Sequence, residues 1–132
     1  DTAGREQYVR CAKALLVGAE CDATDPTTPV GLPLEIVLLD DPRQVEETLR
    51  AQVLFGGKPL AKARVVAVHR DDPKTLHTLV ADDRGQVKLT SPATGDWLLT
   101  TLHMVRDEQN ADVDWKSYWG SLITAVTRPR SK

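Results

Sequence analysis

Two cysteines, three histidines, one methionine and one phenylalanine in 132 residues leave little raw material for redox, metal-cluster or nucleophilic chemistry. Cys11 and Cys21 are too far apart for a redox CxxC pair and too few for a structural zinc site. Two readings stay open for them: a disulfide closing a short loop between a strand and the following turn, or two buried free thiols. No GxSxG elbow, GxGxxG turn or GxxxxGK[ST] loop occurs, which sets aside nucleophile-elbow hydrolases, dinucleotide folds and P-loop enzymes. A clustered basic excess is also lacking. The 17 Lys and Arg are interleaved with 19 Asp and Glu for a net charge of -2, so nucleic acid is not an expected partner. The longest apolar run, Leu34 to Leu39, is interrupted by Glu35 and falls far short of the roughly 20 residues that span a bilayer. No transmembrane segment and no signal peptide is visible, and a mature exported chain would have lost its leader.

What is present is a foldable composition, 41% hydrophobic and 27% charged, in a length suited to one domain over residues 1–132. The basic tail Arg128 to Lys132 is expected to fray. Residues 6–17 read as a strand, with a short helix as the alternative, before the turn-rich stretch GAECDATDPTTP. PLEIVLL (33–39) is a compact apolar strand. LRAQVLF (49–55) puts Leu49, Ala51, Val53 and Phe55 on one face and Arg50 and Gln52 on the other. Gly56-Gly57 supplies the φ freedom of a two-residue hairpin turn, and ARVVAVHR (63–70) follows. Asp71-Asp72-Pro73 is expected to break that strand. LHTLVA (76–81) and QVKLT (86–90) then form another pair around the DDRG turn. DWLLTTLHMV is apolar on both faces, as a central strand would be, and WKSYWGSLITAVT is the last strand. Seven or eight short strands with regular turn signals predict an all-β, antiparallel two-sheet sandwich of the immunoglobulin-like or prealbumin-like kind.

Most of the aspartates fall in turns (Asp40, Asp41, Asp71, Asp72, Asp82, Asp83), where backbone bonding is their ordinary task. His69 and His77 end and begin adjacent strands. A symmetric pairing about Asp72-Pro73 would bring their Cβ atoms to about 5 Å, near enough to share a metal ion, although plain surface histidines are the favoured reading. His103, beside Met104, offers a soft donor pair for copper or nickel, with a hydrogen-bonded core histidine as the favoured alternative. Trp115, Tyr118 and Trp119 either fill a core edge, which is favoured, or form a stacking platform for sugars or peptides.

The segments REQYVRCAKALLVG, GLPLEIVLLDDP (31–42), LRAQVLFGGKPLAKARVVAVHR, VADDRGQVKL, GDWLLTTLHMV and WKSYWGSLITAV run in order from about Arg5 to Val126. Together they resemble a bacterial periplasmic domain family of unknown function associated with nickel and cobalt uptake transport. The GGKPLAKARV and DDRG pieces are shared by many carboxypeptidase-regulatory-like and prealbumin-like sandwiches; GLPLEIV and DWLLTTLHMV narrow the match. The resemblance implies an exported, periplasmic sandwich that serves as a metal-uptake accessory or metal-sensing component rather than a pore. A divalent transition metal would be its cofactor and a membrane transporter component its partner. His103 in TLHMV is the position the resemblance offers as a polar site residue. The competing expectation is a generic extracytoplasmic module for protein or carbohydrate contact, and no enzyme is expected.

Overall fold

The computed structural model describes residues 6–15, 29–106 and 115–127. In chain order the elements are β1 (Glu6–Leu15), β2 (Leu34–Leu38), a 3-10 turn (Pro42–Gln44), β3 (Thr48–Phe55), β4 (Lys58–Pro59), β5 (Arg64–His69), β6 (Asp72–Val80), β7 (Gln86–Thr90), β8 (Gly95–Arg106) and β9 (Trp115–Val126). They form the expected all-β, two-sheet sandwich. One sheet has the order β1-β9-β8-β5-β6; in the other β3 pairs with β2 on one side and with β7 and the two-residue β4 on the other. One pairing departs from an antiparallel sandwich: β1 lies parallel to β9, Cys11 facing Gly120.

Period-two alternation decides which side chains meet between the sheets. Leu34, Ile36 and Leu38 of β2 join Leu49, Ala51 and Val53 of β3, and from the five-stranded sheet come Val65, Ala67, Trp97, Leu99 and Leu122 in the same buried cluster. Trp97 satisfies its indole N–H by donating to the Ala93 carbonyl at 2.8 Å. Cys11 packs in this core as a free thiol, and Cys21 and the tail 128–132 lie outside the described residues.

The strand connections correct three local expectations. Gly56 and Gly57, at φ 62° and 82°, make the two-residue hairpin, but its return strand is Lys58–Pro59 alone, and the chain then crosses to the other sheet as β5. The break at Asp71-Asp72-Pro73 is shorter than expected: Asp72 pairs with His69 and the strand runs on through Pro73. β6 is an edge strand, where a residue without an N–H costs no ladder bond on its outer side. Finally, LHTLVA and QVKLT do not pair, because β6 belongs to the five-stranded sheet and β7 to the other. The DDRG turn between them is held by Asp82, whose carboxylate accepts the Arg84 and Gln86 amides at 2.8 and 3.0 Å. Those two bonds, Gln86 first, hold its pKa below the ordinary value.

Glu35 lies in β2, whose five residues are all buried. Its carboxylate accepts Lys13 Nζ from β1 at 2.8 Å and the successive amides of Val30, Gly31 and Leu32 at 2.7, 3.0 and 3.2 Å. Gly31, at φ 90°, bends the chain so that three consecutive N–H groups converge on one anion. Burial alone would raise the Glu35 pKa, but the Lys13 hydrogen bond, the Val30 and Gly31 amides and the Lys13 charge outweigh it and hold the carboxyl below its ordinary value. The GLPLEIV segment thus makes its own anion cradle and links β1 to β2.

Because the folded carboxyl binds a proton less readily than the unfolded one, its stabilisation is present above the ordinary Glu range and lost as pH falls through the depressed folded value. Glu35→Gln is expected to cost about 3–5 kcal/mol at pH 7, since it leaves Lys13 buried and uncompensated. It is also expected to flatten the loss of stability between pH 5 and pH 3. Urea unfolding across that range checks both; an unchanged pH profile in the variant would contradict the assignment.

Candidate functional site

The three histidines do not converge. The β5–β6 register sets His77 opposite Ala67 and His69 opposite Asp72, with an irregularity between them, so the facing pair needed for a shared metal is not formed. Both rings lie instead on the inner side of the sheet, each edge-on to Trp97 with centroids 5.0 and 5.3 Å away. His69 is buried and fully engaged. Nδ1 accepts the Asp71 amide at 3.1 Å, which places the ring proton on Nε2, within 2.8 Å of the Thr94 carbonyl. A Cβ on Gly95 would stand 2.8 Å from that nitrogen; the glycine at φ 125° is what lets the β8 start close over the ring. His69 therefore locks a turn, with both ring nitrogens already committed, Nδ1 as acceptor and Nε2–H as donor.

His103 is half-buried on the inner face, at the other end of β8. Phe55 lies edge-on to it at 4.6 Å and edge-on to Tyr118, its cross-strand partner, at 4.8 Å. Burial lowers the His103 pKa, which favours the neutral ring. Met104 is next in the strand and points to the opposite face, so the imidazole and thioether do not form one donor set. Among the described residues no group of three or more His, Cys, Asp or Glu side chains is placed to hold a metal ion.

The aromatic cluster WKSYW is divided by the same alternation. Tyr118 turns inward, with the Lys116 ammonium 5.5 Å from its ring centre, whereas Trp115 and Trp119 are 41% and 42% exposed. For these two indoles the core-edge expectation is corrected. They belong to a larger feature that sequence reading missed. On β8 and β9 the residues facing away from the core include Leu98, Leu102, Met104 and Ile123, all exposed, and Val66 and Val68 of β5 continue the surface half-buried. The expected central strand is indeed third of five, but only its inner face is covered by the second sheet.

Several exposed apolar side chains on adjoining strands exceed the scattered leucines of an ordinary surface and make this face the candidate site. Exposed Trp and Met are the residue types enriched where surfaces become buried on contact. Two grooves are cut into it. One, of about 400 Å³, is lined by Arg64, Val66, Thr100, Thr101, Leu102 and Trp119. The other, of about 370 Å³, lies by Val68, Pro73, Leu98 and Ile123, next to the Arg70–Asp96 ion pair at 3.2 Å. A third depression, at the end of the smaller sheet, is polar: Asp40, Asp41, Glu46 and Glu47 line it with Arg50. There Asp40 is paired with Arg50 at 2.8 Å and Asp41 with Arg43 at 2.8 Å, and these guanidinium hydrogen bonds hold both carboxyls below their ordinary pKa.

Neighbouring leucines on β8 give a direct check of the two faces. Leu99→Ala, on the core side, is expected to cost about 2–5 kcal/mol, while Leu102→Ser, on the outer side, should change stability by no more than about 0.5 kcal/mol. Chemical denaturation of the two variants measures the difference.

No curated protein and no solved structure matches the chain. The family model for the domain of unknown function DUF4198 matches residues 1–105, from the start of the chain through almost all of β8. With that match over most of its length, the chain belongs to the DUF4198 family of domains of unknown function.

Proposed function

We propose that the chain is an exported, non-enzymatic binding module that makes contact with protein or carbohydrate through the outer face of its five-stranded sheet. The observation that carries this reading is the exposure of Trp119 beside its ladder partner Leu102, with Met104 of β8 and Ile123 of β9 exposed on the same face. Such an apolar surface has a free-energy cost in water that burial against a partner removes. β8 and β9 are paired on both sides, so their backbone presents these side chains with little further ordering to lose on binding.

A second reading, the accessory role in nickel or cobalt uptake docked on a membrane transporter, is favoured by one observation. His103 is half-buried beside Phe55, and burial lowers its pKa and so favours the neutral form of imidazole, the form that ligates transition metals. In that reading the metal contact is at His103 and the docking surface is again the outer face.

Photo-crosslinking in the native host separates the surfaces. A crosslinking residue at position 102 or 119 is expected to give adducts, and one at position 88, on the outer side of the smaller sheet, to give none; the opposite pattern overturns the first reading. Nickel titration by calorimetry tests the second: heat that His103→Ala abolishes is expected, and absence of heat rejects metal binding by this chain.

A further inference from the structure

The outer face is corrugated across the strands. Trp119 of β9 stands between its ladder partners Arg10 of β1 and Leu102 of β8, and Arg64 of β5 lines the groove with Trp119 and Leu102. Two residues along, Ala12, Ser121, Thr100, Val66 and Thr78 follow one another from β1 to β6 through successive ladder pairs. Two further along, Ala14, Ile123, Leu98 and Val68 do the same. Across β9 and β8 the outer rows carry large side chains, Trp119 and Leu102 on one side and Ile123 and Leu98 on the other, and the middle row small ones, so the middle row is the floor of a trough that is walled on both sides there and runs perpendicular to the strands. Strand spacing makes the floor about 19 Å long, and the residue rise sets its bounding rows about 13 Å apart.

We propose that this trough binds a linear anionic glycan, a uronate-type chain lying across β9, β8 and β5. The inference rests on the outer face being the binding surface. Length and direction fit an extended chain rather than a compact ligand. Ser121, Thr100 and Thr78 bring hydroxyls to the floor, where sugar hydroxyls can exchange hydrogen bonds with them. The exposed indole of Trp119 offers an electron-rich face to the C–H side of a sugar ring. Charge selects the sign. Arg10 and Arg64 are both exposed and lie three strand spacings, about 14 Å, apart along the Trp119 row, and no carboxylate stands in the three rows. Asp96, the acid on this face of β8, lies beyond Leu98 and is paired with Arg70. Guanidinium forks match carboxylates in geometry as well as charge. An extended peptide fits less well. β9, β8 and β5 are interior strands whose backbone groups are taken up by neighbours on both sides, so a peptide lying there finds no main-chain ladder to join.

The test is calorimetry of the full chain with pentagalacturonate as the anionic probe, cellopentaose as the neutral one and a Glu-Leu repeat peptide as the acidic non-sugar. Binding of pentagalacturonate that weakens with added salt is expected. Trp119→Ala should lower its affinity about tenfold and Arg64→Gln should reduce the salt dependence. Thr90→Ala, exposed on β7 of the smaller sheet, should leave affinity within about twofold. Equal binding of cellopentaose overturns the anionic assignment, and undiminished binding by Trp119→Ala overturns the location. Binding of the peptide alone, or of none of the three, overturns the glycan. Crosslinks at positions 102 and 119 alongside such a failure would leave the outer face standing as a protein contact, whereas loss of both would reject the face itself.

Discussion

The twelve-residue ladder between β8 and β9, continuous from Gly95 opposite Val126 to Arg106 opposite Trp115, is the constraint on which the rest of the molecule depends. A single register over that length commits every side chain of both strands to one face. It sends Trp97, Leu99, Leu122 and Val126 into the core and Leu98, Leu102, Trp119 and Ile123 outward. A slip of one residue would bury Ile123 and Trp119 and expose Leu122 and Thr124. The edge pairings follow from this centre. β1 runs parallel to β9, with Cys11 opposite Gly120, and a Cβ at Gly120 would meet Leu34 and Thr101 at 3.1 and 3.2 Å. The inner face there is filled to contact between the two sheets.

The two sheets are joined by polar links as well as by packing. At one side Glu35 collects Lys13 and three loop amides. At the other, the 3-10 turn after β2 is tied to the end of β9, the Val45 amide donating to the Thr127 carbonyl and the Thr127 amide to that of Pro42. A buried ion pair offers less net stabilisation than apolar packing of the same volume. Its effect here is geometric, since the cradle of Val30, Gly31 and Leu32 is organised around the carboxylate. His69 acts similarly at the β5–β6 turn, accepting one backbone amide and approaching one carbonyl.

The histidines and aromatics show why residue type alone is a poor guide to a site in a β protein. His69, His77 and Trp97 share one inner corner, and His103, Phe55 and Tyr118 another; in both, ring edges meet ring faces as they do in cores. Met104, one residue from His103, is on the other side of the sheet. Trp119, one residue from Tyr118, is likewise on the outer surface, among aliphatic side chains contributed by three strands.

Alternation, turn residues and the missing enzyme motifs were sufficient for the all-β sandwich, for most strand positions and for the Gly56-Gly57 hairpin, because these depend on neighbours in the chain. The aspartates at 40, 41 and 82 were legible for the same reason: each bonds a backbone amide close by or one strand away. Only the tertiary structure decided that β6 and β7 part to different sheets, that β1 lies parallel to β9, and that the second apolar face of β8 is left open. A strand apolar on both sides reads identically whether both faces are covered or only one, since cover comes from elements distant in sequence. The cross-strand rows of the outer face are drawn from five strands between residues 10 and 123, and such rows exist only once pairing and register are set.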